Sequence, residues 1–200
     1  MKNNNVLGLD IGGTNCRIGI IKEDKIIQKK SVSTADVLNL KDFVKKFLDE
    51  NDNYEIKKAG IGFAGPIIEG KSELTNGNLK IDKKKLEKKL DLKIKLVNDF
   101  HALAKGIKVL NKKDILNIKK PEFENKIELI VGPGTGLGKA YIIDGEVYPA
   151  EGGQTLIGVE NIHDYNLIDF LKKEYDSQVY YEDIISCRGI VDLYSHLAIK

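Results

Sequence analysis

The sequence predicts an α/β protein built as two lobes, and three observations carry that prediction. Two tight antiparallel hairpins open the chain and run into strand–helix–strand spacing, the signature of a mixed sheet with helical crossovers. A strand, a glycine-rich turn and a second strand occur near the N-terminus and recur roughly 120 residues later, the trace of a structural duplication. Between the two copies, Asn111 to Asn125 is polar and carries Pro121, as a boundary segment would.

The elements follow in order. Val6-Leu7-Gly8-Leu9 is a strand running into Asp10, Gly12 and Gly13 turn the chain, and Ile18 to Ile21 is the return strand. Glu23-Asp24 turns it again into Lys25-Ile26-Ile27. Leu40, Phe43, Val44, Phe47 and Leu48 repeat at helical spacing behind Asn39, a good N-cap. Ala59 to Phe63 is a buried strand expected to join the sheet in parallel. Asp82 caps a short helix over Lys83 to Leu90, with Ile81 and Leu86 placed as a hydrophobic staple. Its lysine run reads as a solvated face. Lys93 to Val97 is a strand, and Asn98-Asp99 opens a helix carrying Leu103, Ile107 and Leu110. The second half repeats the opening: strand Ile127 to Val131, the run Gly132 to Gly138, strand Ala140 to Ile143 and a hairpin turn at Asp144-Gly145. The tail, Asp164 to Leu171 and Glu182 to Leu197, reads as helical.

Composition narrows the function classes. The chain has 200 residues, 42% hydrophobic and 31% charged, so an ordered core is expected. Lys+Arg 32 against Asp+Glu 30 leaves +2, too balanced for a dedicated nucleic-acid or membrane-surface protein. Only Arg17 and Arg188 are arginine, which leaves little of the forked donor chemistry that reads base edges. No nucleic-acid or membrane partner is expected. Cys16 and Cys187 form no CxxC pattern, no Cys/His group has zinc spacing, and both thiols read as small buried hydrophobes. Neither a signal-peptide core nor a membrane-spanning run is seen, so the expected compartment is the cytoplasm.

Two glycine turns carry the first chemistry. In Asp10-Ile11-Gly12-Gly13-Thr14-Asn15 a strand ends on a carboxylate, and a side-chain-free turn gathers backbone N–H groups beside it. Such a turn is an anion cradle, and the neighbouring carboxylate suits Mg²⁺ or its water. Taken alone, this short segment is more often a hairpin whose Asp caps the turn. Gly132-Pro133-Gly134-Thr135-Gly136-Leu137-Gly138 is the second turn. It is no Walker A loop, because Pro133 and Ala140 stand where glycine and Ser/Thr are needed. Nor is it a dinucleotide fingerprint from Gly132, because Leu137 replaces the last glycine. Two such turns in one chain point to a polyphosphate held from both sides.

Asn98-Asp99-Phe100 closes a strand and starts a helix, a good place for a general base, although locally Asp99 reads first as an N-cap. Glu151-Gly152-Gly153-Gln154 in a turn, and Glu182 ahead of Ile184-Ile185, each read alone as surface polar residues. Together with Thr75, Asn76, Asn98 and Asp99 they form a set of amides and carboxylates suited to a polyhydroxy ligand, whose hydroxyls are costly to leave unpaired.

The ordered series Asp10–Asn15, Gly65-Pro66, Thr75-Asn76, Asn98-Asp99-Phe100, Gly132–Gly138, Glu151-Gly152-Gly153 and Tyr181-Glu182-Asp183-Ile184-Ile185-Ser186 resembles the bacterial-type glucokinases from about Val6 to His196. These belong to the hexokinase branch of the actin-like ATPase (ribonuclease H-like) fold. The resemblance implies a small N-terminal lobe, 1–110, with the first phosphate loop and the catalytic Asp. It implies a partial large lobe, 111–200, with the second loop and the sugar-binding Glu residues. By it, ATP lies on Asp10, Gly12, Gly13, Thr14, Asn15, Gly134, Thr135 and Gly136, with Asp10 near Mg²⁺. Asp99 would take the proton of the sugar 6-hydroxyl; Thr75, Asn76, Asn98, Asp99, Glu151, Gln154 and Glu182 would hold the sugar. The implied reaction is ATP-dependent phosphorylation of a hexose, glucose to glucose 6-phosphate first among them.

Three departures qualify the resemblance. Gln154 stands where the family usually has His after Glu-Gly-Gly, and Leu79 stands near the place of an aromatic that often follows Thr-Asn. Family members also continue well past the position of Lys200, through a glycine-rich adenosine-binding segment. The zinc motif of the related repressor–kinase family is absent, which favours the plain glucokinase branch. A sugar-binding remnant, or one half of a split kinase, is therefore the alternative expectation. Its partner would be a complementing C-terminal chain; a homodimer is the other arrangement left open.

Overall fold

The structure, a computed structural model, describes residues 5–74, 77–119 and 126–198. The chain divides into two compact units, Met1–Val109 and Leu110–Lys200. Among the described residues no helix is long and apolar enough to cross a membrane.

The first unit is built on β1 (Val6–Ile11), β2 (Asn15–Lys22), β3 (Lys25–Ser33), α1 (Leu40–Asp49), β4 (Lys58–Phe63), a small hairpin of β5 (Lys71–Glu73) and β6 (Lys80–Asp82), α2 (Lys83–Leu90), β7 (Lys93–Asn98) and α3 (Asp99–Gly106). Its main sheet has the order β3-β2-β1-β4-β7. β1 pairs antiparallel with β2 and parallel with β4, and β4 pairs parallel with β7. The expected parallel crossover through α1 is therefore present. Alternation along the strands buries Leu7, Leu9, Ile11, Cys16, Ile18, Ile20, Ile61 and Phe63 in one core with Leu40, Val44, Phe47 and Leu86 from α1 and α2. Ile81 and Leu86, the staple pair, are both buried.

Helix starts follow local chemistry. The Asn39 side chain accepts from the Lys41 and Asp42 N–H groups, and Asp82 accepts from Lys85 N–H. Glu23 and Asp24 both take positive φ (50° and 62°), which turns β2 tightly into β3. β3 runs six residues past Ile27, because its polar stretch Gln28–Lys30 is held by backbone pairing to β2 and, as a lysine-bearing edge, needs no apolar pattern. The three-residue strands β5 and β6 are too short to leave a periodic signal.

The second unit contains β8 (Ile127–Pro133), β9 (Leu137–Ile143), β10 (Glu146–Ala150), α4 (Ile162–Tyr175) and α5 (Cys187–Ala198), with the antiparallel order β10-β9-β8. Asp144 and Gly145 (φ 49° and 85°) make the β9–β10 turn. The expectation of a tail helix beginning at Glu182 is corrected. Tyr181–Asp183 is a single 3-10 turn, and α5 begins at Cys187. Asp183 is the reason: its carboxylate folds back to accept from Tyr180 N–H at 2.9 Å and from Arg188 at 2.5 Å, closing the short turn before a longer helix can propagate.

Candidate functional site

In the first unit the chemistry collects along the C-terminal ends of three parallel strands. Register pairs Asp10 with Gly62, Ile11 with Phe63 and Phe63 with Asn98, so the first glycine turn, the Gly65 loop and Asn98-Asp99 share one sheet edge. β1 and β7 flank β4, which separates them by about 10 Å. Ligands of open α/β sheets gather at such an edge.

The first turn is tightly braced. Gly12 N–H donates to the Asn15 carbonyl at 3.0 Å, and Thr34 N–H donates to the Thr14 carbonyl at 2.9 Å. The Thr34 hydroxyl donates to the Gly12 carbonyl at 2.8 Å. Thr34 thus ties two turn carbonyls to the body of the unit. Sequence reading missed it, since it lies twenty residues beyond the turn and carries no motif of its own. Gly12 and Gly13 are half-buried, while Thr14 and Asn15 are exposed at the rim. Asp10 is exposed and accepts from Arg17, its cross-strand neighbour, at 2.7 Å. Cys16, fully buried beside it, has its thiol pushed up to about 11 by burial first and by the Asp10 charge second.

At the end of β7 the structure reassigns the cap. Asn98, not Asp99, is the N-cap of α3, its side-chain oxygen accepting from Phe100 N–H at 2.9 Å and His101 N–H at 3.2 Å. Its amide donates to the Gly65 carbonyl at 3.3 Å. Gly65 is glycine because a Cβ there would stand 2.6 Å from the Glu73 carbonyl oxygen. Asp99 is the first helical residue, half-buried, with its Oδ1 accepting from Phe100 N–H at 2.9 Å. Thr75 and Asn76, expected to hold the sugar, lie outside the described residues.

In the second unit Gly136, Leu137, Gly153 and Gln154 gather around one carboxylate, that of Glu182. The turn Gly134–Gly136 links β8 to β9, with Gly134 N–H donating to the Gly136 carbonyl at 2.9 Å and Cys187 N–H donating to the Gly134 carbonyl at 2.9 Å. Thr135 is exposed at its tip. Glu182 Oε2 accepts from Leu137 N–H at 3.3 Å, and Glu182 Oε1 accepts from the Gln154 amide at 2.5 Å. Glu151 precedes the 3-10 turn Gly152–Gln154, is exposed, and its carbonyl accepts from Gln154 N–H at 3.1 Å. Gly153 is forced to be glycine: a Cβ would lie 2.5 Å from the Leu137 carbonyl. Asp183 anchors the neighbouring residue, and Arg188 stacks over the Tyr175 ring at 4.5 Å.

The cation chemistry is sparse. Among the described residues no group of three or more His, Cys, Asp or Glu is placed to hold a metal. A lone exposed carboxylate such as Asp10 fits Mg²⁺ only in the way Mg²⁺ is commonly bound, through one carboxylate together with substrate phosphates and water.

A sheet of this order, carrying a braced glycine turn and an acid on one edge, with a second glycine turn elsewhere in the chain, defines an α/β protein of the actin-like ATPase class. The family model described as Glucokinase matches residues 7–200, and the chain belongs to the glucokinase family. It is 33% identical over 205 residues to a glucokinase of Nostoc punctiforme, covering 96% of this chain and 60% of that protein. Among solved structures it is similar to glucokinase from an Antarctic psychrotroph (TM-score 0.76, 27% identity, 98% of this chain and 65% of that one). It is also similar to the glucokinase of Balamuthia mandrillaris in complex with glucose (TM-score 0.78, 25% identity, 96% and 62%). The chain thus spans about three fifths of the length of the curated relatives it matches.

Proposed function

We propose that this protein phosphorylates the 6-hydroxyl of a hexose, glucose first, using ATP. The observation that carries the reading is the shared edge of the first unit: a braced glycine turn ends one parallel strand, and Asp99 follows the end of another two strands away. A phosphate cradle and a proton acceptor are the two parts a sugar kinase needs. The glucose-bound Balamuthia relative supports the choice of sugar.

In this reading the amides of the first turn, with Thr14 and Asn15, bind phosphate oxygens, and Gly134, Thr135 and Gly136 do the same from the second turn. Asn98, Glu151, Gln154 and Glu182 orient the sugar by its hydroxyls, joined by Thr75 and Asn76. Asp99 accepts the proton as the 6-hydroxyl attacks. Asp10 would hold Mg²⁺ arriving with the nucleotide, after giving up its bond to Arg17. When bound, that ion neutralises charge on the phosphates. Fixed turn amides then stabilise what charge remains, so positioning supplies most of the rate.

Asp99→Asn tests the assignment. Phosphorylation of glucose, followed by a coupled assay, should fall by about 10²–10⁴-fold, the usual worth of a positioned base. Glucose affinity by calorimetry should hold within about threefold, since the substitution keeps a polar group of the same size. A variant turning over at the wild-type rate would remove Asp99 from the reaction.

A further inference from the structure

Glu182 belongs to two neighbourhoods at once. Its Oε1 is held by the Gln154 amide at 2.5 Å, on the side assigned above to the sugar. Its Oε2 reaches into the second glycine turn and takes the N–H of Leu137, at 3.3 Å. The two bonds are unequal. The first is short, and the second lies beyond the usual range for N–H···O and is easily given up.

The turn is shaped to admit this carboxylate. A Cβ on Gly136 would stand 2.7 Å from Glu182 Oε2, and one on Gly153 would stand 3.2 Å from it. Glycine at both positions therefore leaves room for a charged oxygen against the turn. Occupation of the turn by Glu182 has two consequences for a phosphate. One backbone donor is already spent, and a negative charge sits where an anion would come.

We infer that Glu182 is a sugar-operated gate on the second glycine turn. This rests on the sugar-kinase reading. A sugar hydroxyl donating to Glu182 competes with the amide of Gln154, draws the carboxylate out of the turn and gives the phosphate the Leu137 N–H. Sugar binding then strengthens phosphate binding, and by linkage phosphate strengthens sugar binding by the same factor. In this role Glu182 is a positioning residue for the turn as well as a sugar ligand, and the turn is ready for phosphate only once an acceptor is present.

Tripolyphosphate is the probe, titrated into the chain by calorimetry with and without saturating glucose, while the Leu137 amide is followed by ¹⁵N NMR. Wild type should bind tripolyphosphate about 5–10-fold more tightly with glucose, within the usual range of coupling, and glucose alone should shift the Leu137 amide. Glu182→Gln offers one acceptor oxygen and no charge. It should bind tripolyphosphate without sugar about as tightly as wild type does with it, and glucose should add less than about twofold. Glu151→Gln, altered on the sugar side only, should need more glucose yet keep the full coupling. Binding of both ligands without coupling, a Leu137 amide unmoved by bound glucose, or weaker tripolyphosphate binding by Glu182→Gln overturns the gate and leaves the kinase reading standing. A chain that binds neither ligand overturns both.

Discussion

Asp10 and Asp99 occupy comparable places, each near the end of a parallel strand, yet their surroundings divide their work. Asp10 is exposed and already answers a cation, Arg17, a setting that supports the proposed Mg²⁺ role. Asp99 sits in the first turn of α3 beside a cap made by Asn98, half-buried, with its Oδ1 accepting from Phe100 N–H. Two cysteines separate in the same way. Cys16 is sealed in the core with its thiol pushed up to about 11, so only about one part in a thousand is thiolate at pH 8. Cys187 is exposed. Ellman's reagent at pH 8 should therefore release one thiol per chain promptly and the second only in denaturant; two prompt thiols would mean that Cys16 is not packed as described. Thr34 left no trace in the sequence because its partners are carbonyls about twenty residues away, whereas Gly65 was legible only within the Gly65-Pro66 motif.

Elements are set by their ends. Asn39 and Asn161 cap α1 and α4, and Asn161 completes a capping box with Asp164. Replacing either by Ala should cost about 1 kcal/mol in urea unfolding, with m unchanged. Tyr175 and Asp192 join α4 to α5 by a hydrogen bond. Burial, then that bond, raises the Tyr175 phenol to about 12. Because the folded value exceeds the usual one near 10, this contribution is complete below pH 10 and fades as pH rises toward 12. A spectrophotometric titration should show one tyrosine ionising last, and Tyr175→Phe should remove that step. The second glycine turn packs closely against Gly153 of the Gly152–Gln154 turn. Gly153→Ala would drive a methyl into the Leu137 carbonyl, at an expected cost of about 1–3 kcal/mol with loss of tripolyphosphate binding. Retention of both stability and binding would show that the turn is not packed against Gly153.

For the whole molecule, the kinase reading is tested by turnover. The chain spans about three fifths of its relatives' length, so glucose phosphorylation is best assayed on this chain alone and together with a polypeptide supplying the rest of the family's length. Turnover by the chain alone would support the kinase reading for this chain as it stands. Turnover only in the mixture would make it one half of a split enzyme, and glucose binding without turnover in either would make it a sugar-binding protein. On the first unit's open sheet face, Gly8, Gly19, Gly60 and Gly62 floor a cavity of about 720 Å³ bordered by Ile21 and Ile26. That face is the counterpart of the helix-covered one, and α3 lies over part of it, where Ala102 comes close to Gly62.

The order of the longer strands and helices, the Asn39 and Asp82 caps and the two glycine turns were legible in the amino-acid chain, because each is written in neighbours a few residues apart: alternation, helical spacing, an Asn or Asp before a helix. The longer β3, the small β5–β6 hairpin and the 3-10 turn holding Glu182 were not, since backbone pairing and the Asp183–Arg188 contact override local propensity there. Folding alone decided which carboxylate meets which turn. Register between β1, β4 and β7 brought Asp10, Gly65 and Asn98 to one edge, and the approach of residue 182 to residues 137 and 154 put a single carboxylate between an amide and a glycine turn. Such meetings depend on contacts between residues far apart in the chain, which no local pattern encodes.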